Sequence, residues 1–483
     1  MRRTRRQYKS TLNKISLTFT SIACLITLYI IYMIFNTGLL PSFYRIVFGG
    51  IASIILATCF YFSFNSTQNK LADNLINFLS IIYMMIISII AFAIHQGIGA
   101  ITSINQHDTT QTSAFSLIVQ KDSPYNSIDD VKTKKVLAPI KQDEKAIDGY
   151  IKELRDKKDI DFVFDNCNSY IKGADELLKD SHKILLLNES YRSIIADQFP
   201  DFEENTKVLD TIETVSQVQT IQNDVAKGDS FNIYLSGIDT YGQLTNVSRS
   251  DVNLVVTVNP TKHKILITTI PRDSYLPIAG GGNMQNDKLT HAGIYGIDSS
   301  IGTLENLLDT NINYYARVNF STLVDIVDIL GGINIYNDQA FTTDEGTFPQ
   351  GELHLDGEQT LRFSRERYSL SSGDLDRGRN HMKVLEAMIH KATSPAILTN
   401  YTDVLTVLLN SAQTNVPKAK IIELINGQLS TNARWNIESQ DISGHGEMGL
   451  PSYAMPGYDL YMFVVDESSV NHAKQEIQNT LNN

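Results

Sequence analysis

Five arginines fall within 18 residues in the stretch LRFSRERYSLSSGDLDRGRNHMKVLEAM: Arg362, Arg365, Arg367, Arg377 and Arg379. Guanidinium groups are permanently charged planar forks that match pairs of phosphate or carboxylate oxygens. An extended backbone over 363–368 would turn Arg365 and Arg367 to one face. Asp374 stands where a helix N-cap belongs, which places Arg377 and Arg379 in the first turns of the following helix. Cations there oppose the macrodipole, so helix stability does not account for them. A helix start flanked by arginines suits an anion, phosphate above all. The competing reading is a solvated surface in which Glu366, Asp374 and Asp376 pair with the same arginines.

A second set of chemical groups comes from separate places in the chain. Asp239 follows the apolar strand FNIYLSGI, and Asp251 opens another, DVNLVVTV. Antiparallel pairing puts both carboxylates at one edge of a sheet. A third strand, KILITTI, returns from the turn Asn259-Pro260-Thr261-Lys262 and ends at Arg272-Asp273, at that same edge. Arg249 belongs to the loop beside it. Two carboxylates with open positions suit Mg²⁺, which takes oxygen ligands and keeps room for waters or phosphate oxygens. Turn and strand-end acids of no special role are equally common. Lys288, in NDKLTHAG before a helical pattern, could reach a phosphate, although a surface lysine is the commoner outcome. Gly280-Gly281-Gly282 lacks P-loop spacing, and neither HExxH nor GxSxG occurs, so zinc peptidase and serine hydrolase readings have no motif.

These groups need a scaffold, and the periodicity supplies one. Residues 231–483 read as a mixed α/β domain, with helical patterns near 289–309, 320–330, 375–393, 395–412 and 416–427 and a helix at the end. Strands are expected at 332–336, 435–441 and 460–465. The 320–330 helix, with Leu323, Ile326, Val327 and Leu330, carries an apolar stripe whose plain reading is a core face. Ahead of this domain, residues 114–215 alternate five strand-like runs (SLIVQ, KVLAPI, DFVFD, HKILLLN, TKVLD) with helices at 142–156, 167–180 and 189–198. That alternation predicts a small α/β accessory domain without chemistry of its own. The polar stretches 101–113 and 216–230 read as linkers.

The first hundred residues are different in kind. They carry eight Lys or Arg and one acid, whereas the chain as a whole is at −12, which leaves −19 on the remainder. A domain that acidic is a poor match for a nucleic acid backbone, and nucleic acid is not expected as a partner. Residues 1–14 form a basic head, and 15–100 contain three apolar stretches: Ile15–Phe35, Ile46–Phe64, and Leu75–Ala100 interrupted by His95. Each suffices for a transmembrane helix. The basic head should stay in the cytoplasm, so three crossings put the large C-terminal part outside the cell. Cys24 and Cys59 lie in the spans and Cys167 stands alone beyond them, so no disulfide is expected in the outer part.

At this level of detail the motifs become specific. SGIDTYG…SRSDVNLVVTVNP…ILITTIPRDSYLPI…NDKLTHAG…LDGEQTLRFSRER…GDLDRGRNH resembles the LytR–CpsA–Psr family of cell-envelope proteins over about Phe231 to Ala392. The layout of three spans and an accessory domain resembles the capsule-associated CpsA branch. The resemblance implies a Mg²⁺-dependent phosphotransferase that moves a glycan, capsular polysaccharide in that branch, from a polyprenyl-pyrophosphate carrier to peptidoglycan through a phosphodiester. It implies Asp239 and Asp251 as the magnesium pair and Arg272, Arg365, Arg367 and Arg377 as the pyrophosphate grip. Asp374 or Asp273 would take the acceptor proton. Arg249, Lys288 and Arg379 fall in matching motifs as substrate-binding candidates. His381 stands where the family usually has Gln, and could donate a hydrogen bond with a pH dependence that an amide lacks. Peptidoglycan, the membrane, the lipid-linked glycan and other capsule-assembly membrane proteins are the partners implied. A regulator that only binds the lipid-linked glycan, or a hydrolase releasing polyprenyl phosphate to water, remain the alternatives.

Overall fold

The computed structural model describes residues 2–37, 42–64, 70–103, 110–218, 225–238, 245–394 and 412–482. Two compact units emerge from its contacts. One contains three N-terminal helices, α1 (Arg2–Thr37), α2 (Ser42–Phe64) and α3 (Lys70–Ser103). Ile30, Ile34 and Ile87 are buried together between α1 and α3, and the Thr27 and Tyr83 hydroxyls meet at 3.0 Å. Leu25, Leu28, Phe43, Ile46, Ile54, Ile89 and Phe92 point outward. Helices with no polar face are not built for water. Leu17–Asn36 and Ser42–Tyr61 are long and apolar enough to cross a membrane. The third expected span is a helix too, and its apolar stretch among the described residues is the shorter Phe78–Phe92. The helix Lys418–Thr431, inside the interval 231–483, groups with α1–α3. The helix expected at 395–412 lies outside the described residues, apart from Ala412 in a strand.

The second unit holds both α/β sheets. The accessory sheet comprises β1 (Thr110–Gln120), β2 (Lys135–Ala138), α4 (Glu144–Lys158), β3 (Val163–Asn166), α5 (Tyr170–Lys179), β4 (Leu185–Asn188), α6 (Arg192–Gln198), α7 (Phe202–Asn205) and β5 (Thr206–Gln217). Its order is β3-β2-β4-β1-β5, with β2 parallel to β3 and β4, and β1 antiparallel to β4 and β5. The polar stretch 101–113 is only partly a linker: α3 runs to Ser103 and β1 starts at Thr110, where Thr112 pairs with Val215. Backbone pairing there outweighs the polar composition.

The larger sheet starts with β6 (Phe231–Gly237), β7 (Val252–Asn259) and β8 (Lys264–Thr269), the antiparallel run expected from the turn chemistry. There follow β9 (Tyr275–Pro277), β10 (Asn286–Lys288), α8 (Leu289–Ala292), α9 (Ile297–Leu308), β11 (Tyr314–Val318) and α10 (Phe320–Ile329). Next come β12 (Ile333–Asn337), β13 (Phe341–Thr343), β14 (Gly346–Phe348), β15 (Gly351–Leu355), α11 (Gly357–Arg365) and α12 (Asp374–Ala392). Strands β16 (Ala412–Thr414), β17 (Asn436–Asp441), β18 (Gly444–Met448) and β19 (Tyr461–Val465) lead to a closing helix, Glu467–Asn482. The order β16-β11-β6-β7-β8-β17 makes a mixed sheet, since β11 and β17 join parallel to their neighbours.

Tyr234, Val255 and Leu266 of the sheet bury with Ile301, Leu304 and Ile477 from flanking helices. A second core joins Val327, Ile333, Phe341, Phe348, Phe363 and Val384. Ile326 and Leu330 are buried as well, so the apolar face of α10 is core. Phe363 packs on Phe341 and Phe348 with ring centroids 5.3 and 5.5 Å apart. Truncating such a buried ring costs about 3–5 kcal/mol, and this one anchors the helix that carries Arg365. A third core is shared by the two sheets' flanks: Tyr170, Tyr191 and Ile194 pack with Ile294, Ala454 and Met455. Gln142 Nε2 donates to the Tyr453 carbonyl at 2.8 Å across the same boundary.

Candidate active site

The edge reached by the ends of β6 and β8 and the start of β7 gathers the charged residues. Asp251 N–H donates to the Gly237 carbonyl at 2.8 Å, which starts the β6–β7 ladder and fixes the carboxylate at the rim. After β8 the chain turns through Pro271, and Arg272 Nη1 donates to Asp251 Oδ1 at 2.6 Å. The Thr290 amide donates to the Arg272 carbonyl at 2.8 Å, and its hydroxyl reaches Asp251 Oδ1 at 3.3 Å. This close docking of α8 on the Ser248–Asp251 loop depends on Gly293. A Cβ there would lie 2.5 Å from the Ser248 carbonyl and 2.8 Å from the Ser250 nitrogen. Lys288 Nζ donates to Asp273 Oδ1 at 2.7 Å.

The amino end of α12 completes the cluster. Gly378 lets the helix approach β8, its notional Cβ lying 3.3 Å from Thr269 Cγ2. Arg377 then bonds Asp374, and Asp374 Oδ1 also lies 3.4 Å from Arg272 Nε. Asp251, Arg272, Asp374, Arg377 and His381 line one narrow cleft. Arg272 Nε is buried and, among the described residues, faces Asp374 as an ion pair rather than through a well-aligned hydrogen bond.

The electrostatics are those of an anion site. Burial alone would raise the Asp251 carboxyl, but Arg249, Arg272 and Arg377 together outweigh it and hold the group below its ordinary value. Burial works against the Arg272 charge, and Asp251, Asp374 and Asp273 more than compensate, raising it further. Arg377 is lowered by burial and by its neighbours Arg272 and Arg367, against the pull of Asp374 and Asp251. Cations crowded enough to depress one another favour an incoming polyanion.

Several expectations need correction or refinement. Residues 363–365 are not extended but helical: α11 runs to Arg365. The missed signal is a capping box, in which Asp356 accepts from the Gln359 amide at 2.8 Å and the Gln359 side chain accepts from the Asp356 amide at 3.1 Å. Arg365 and Arg367 therefore do not share a strand face. The Arg365 guanidinium stacks 4.5 Å over the Phe320 ring, and Arg367 stacks 4.6 Å over the exposed Tyr368 ring. Arg379 is engaged by Asp376 at 2.9 Å and lies 3.6 Å from Asp441. His381 Nε2 lies 2.9 Å from the Ser364 carbonyl, so this nitrogen carries the proton and donates. Burial and then Arg377 push its pKa down to about 3, so the ring is neutral at physiological pH, contrary to the expected pH-dependent role. Asp239 lies outside the described residues. Thr290, Asp441 and Arg317 were not singled out from sequence; Arg317, buried on β11, donates to Ser248 Oγ at 2.8 Å. Its only sequence signal is a lone cation in the apolar strand YYARV.

Whether Mg²⁺ fits can be asked of the donors present. Asp251 and Thr290 offer oxygen only, which suits Mg²⁺. Among the described residues no group of three or more His, Cys, Asp or Glu side chains could hold a metal. Asp251 is the one charged oxygen donor of the two, and its Oδ1 already accepts from Arg272, so Mg²⁺ there would need phosphate oxygens and a further carboxylate.

These features define an α/β protein with an arginine–carboxylate anion site at one sheet edge. The LytR_cpsA_psr family matches residues 200–479, more than half of the chain, and the chain belongs to that family. A second family, DNA polymerase processivity factor, matches residues 70–187. That match covers less than half of the chain and joins an apolar helix to part of the accessory sheet, so it establishes no membership. The chain is 33% identical over 258 residues to the polyisoprenyl-teichoic acid–peptidoglycan teichoic acid transferase TagU of Bacillus cereus, covering 53% of this chain and 79% of that protein. The TagU of Bacillus anthracis is 34% identical over 258 residues, with 53% and 80% covered. Among solved structures, B. subtilis TagV is 25% identical at a TM-score of 0.46, covering 53% of this chain and 98% of that one. TagT bound to LI-WTA is 26% identical at 0.43, covering 55% and 96%.

Proposed function

We propose that this protein is a phosphotransferase that moves a glycopolymer from a polyprenyl-pyrophosphate carrier onto peptidoglycan. The observation that carries this reading is the convergence of Arg272, Arg377, Asp251 and Asp374 on one cleft, in a family whose relatives are named as such transferases. A sugar hydroxyl of peptidoglycan attacks the phosphorus that bears the glycan. The bond to the bridging oxygen breaks, the glycan keeps its phosphate as a phosphodiester, and polyprenyl phosphate leaves. Arg272 and Arg377 bind the pyrophosphate oxygens and hold the charge that builds on the leaving group. Arg367, beside Arg377, extends the grip, and Arg365 adds a cation at the end of α11. Lys288 holds Asp273, and Asp273 or Asp374 receives the proton of the attacking hydroxyl. Asp251, with Asp239, would hold Mg²⁺, which when bound neutralises charge on the phosphates.

The glycopolymer we propose is capsular polysaccharide, supported by the combination of apolar N-terminal helices and an accessory domain. The membrane reading is that α1, α2 and α3 all span, with the basic head cytoplasmic and everything after about residue 100 outside. The test is transfer by the full-length protein in detergent, given peptidoglycan and either a capsular or a teichoic-acid lipid pyrophosphate. Transfer of radiolabelled glycan to peptidoglycan is expected, with the capsular donor preferred. Donor binding without turnover would refute the enzyme and favour a regulatory binder, and release of glycan phosphate to water would make it a hydrolase.

A further inference from the structure

We propose that Asp197, on α6 of the accessory domain, positions Arg249 for the pyrophosphate, so that the accessory domain is part of the active site. This rests on the transferase reading above. Asp197 Oδ2 accepts from Arg249 Nη1, although the two residues belong to different sheets' surroundings and lie 52 positions apart. Arg249 sits two residues before Asp251 and is the foremost of the cations that favour the Asp251 carboxylate. The pair is lopsided: the Asp197 side chain is 62% exposed, the Arg249 side chain 16%. An ion pair with one end in water contributes little to stability, so its consequence is the direction in which the guanidinium is held. The bond uses Nη1 and leaves the rest of the planar fork for a second anion.

The loop that bears Arg249 is held from the same side by backbone. The Thr112 amide donates to the Thr245 carbonyl at 2.7 Å, and the Val247 amide donates to the Thr112 carbonyl at 2.9 Å. Thr112 thereby makes a parallel bridge with Asn246, which ties strand β1 to the loop that bears Arg249. On its other flank the loop rests on Arg317 through Ser248 and on Gly293. The shared core of Tyr170, Tyr191, Ile294 and Met455 keeps the two domains in one register. A flexible arginine on an unsupported loop would lose rotamer freedom on meeting the substrate; Asp197 removes part of that loss in advance.

The experiment uses the full-length protein with Asp197→Ala, Asp197→Glu, Arg249→Ala and the Ala/Ala double variant. Steady-state transfer of lipid-linked glycan is measured beside binding of geranylgeranyl pyrophosphate by calorimetry, with urea unfolding as the folding control. Asp197→Ala is expected to lower kcat/KM about tenfold, mainly through KM, and to weaken geranylgeranyl pyrophosphate by a similar factor. Asp197→Glu should recover most of the loss, and the double variant should be no worse than Arg249→Ala. Unchanged KM and probe binding in Asp197→Ala, multiplicative effects in the double variant, or a gain of activity would each overturn the assignment. A wild-type protein that fails to bind the probe would overturn the transferase reading itself. Wild-type binding with an unaffected Asp197→Ala would overturn only the role of Asp197.

Discussion

Arg272 Nη1 donates to Asp251 Oδ1 at 2.6 Å, so the residue that follows one strand restrains the residue that opens its neighbour. Both side chains are mostly buried. Arg272 thus bridges two carboxylates, with Nη1 on Asp251 and Nε 3.4 Å from Asp374 Oδ1. Arg272→Ala should leave the buried Asp251 charge without its hydrogen-bonded partner, with only Arg249 and Arg377 to offset it, and cost about 2 kcal/mol of stability. Arg272→Ala with Asp251→Asn should recover a good part of that, since the stranded charge is gone. Urea midpoints for the three variants decide it; equal losses in the single and double variants would refute the coupling.

The metal role of Asp239 and Asp251 has its own test. Asp239→Ala and Asp251→Ala should each abolish Mg²⁺-dependent transfer, and chelation of the wild type should do the same. Asp239→Ala should unfold with near-normal cooperativity. Transfer at the wild-type rate in both variants would remove the pair from the mechanism.

The β6–β7–β8 meander was legible because apolar strands bracket an Asn-Pro turn, and that alone brings Asp251 and Arg272 to one edge. The arginine run was harder. Arg377 and Arg379 each follow an aspartate by three residues, Asp374 and Asp376, and look equivalent in sequence. Only the packing of Gly378 against β8 decides that Arg377 joins Arg272 while Arg379 turns to Asp376 and Asp441. The helical state of 363–365 is announced by the Asp356–Gln359 capping box. Asp197 had no sequence signal at all, because its partner lies 52 positions along the chain.

His381 supplies a pH prediction. Its pKa is down at about 3, whereas an unfolded histidine titrates near 6.5. A depressed value means the unfolded chain binds the extra proton first. The stabilisation is complete above pH 6.5 and is lost as pH falls toward 3, at a limiting slope of roughly 1.4 kcal/mol per pH unit. Between pH 6.5 and 8 the ring is neutral and acts as the donor to the Ser364 carbonyl. His381→Gln should therefore keep transfer within about threefold, with the same pH–rate profile from 6.5 to 8, and weaken the acid sensitivity of unfolding. An imidazole resonance titrating near 6.5 in the folded protein would contradict this.

Topology is open to a direct experiment. A reporter active only outside the cell, fused after residue 110, should be active if α1, α2 and α3 all cross behind a cytoplasmic basic head. Activity confined to fusions at 65–74 would mean that an even number of helices precedes the accessory domain.

The arginines separate an enzyme from a charged surface most sharply. If Arg365, Arg367 and Arg377 grip a pyrophosphate, replacing any of them by Lys should harm transfer almost as much as replacing it by Ala. Lysine keeps the charge but cannot span two phosphate oxygens, nor lay a planar group over a ring where Arg365 lies over Phe320 and Arg367 over Tyr368. Lost transition-state contacts of this kind cost a few kcal/mol, which is about a hundredfold or more in rate. Arg377, paired with Asp374 inside the cleft, should show the largest effect, and Arg365, exposed at the end of α11, the smallest. Arg379→Lys is the control: a guanidinium already engaged by Asp376 should tolerate the change with transfer nearly intact. Exposed salt bridges would instead tolerate Lys everywhere and lose about 1 kcal/mol or less on truncation to Ala. Transfer rates and thermal unfolding measured side by side distinguish the two patterns. Fully active Lys variants at 365, 367 and 377 would remove these arginines from the chemistry.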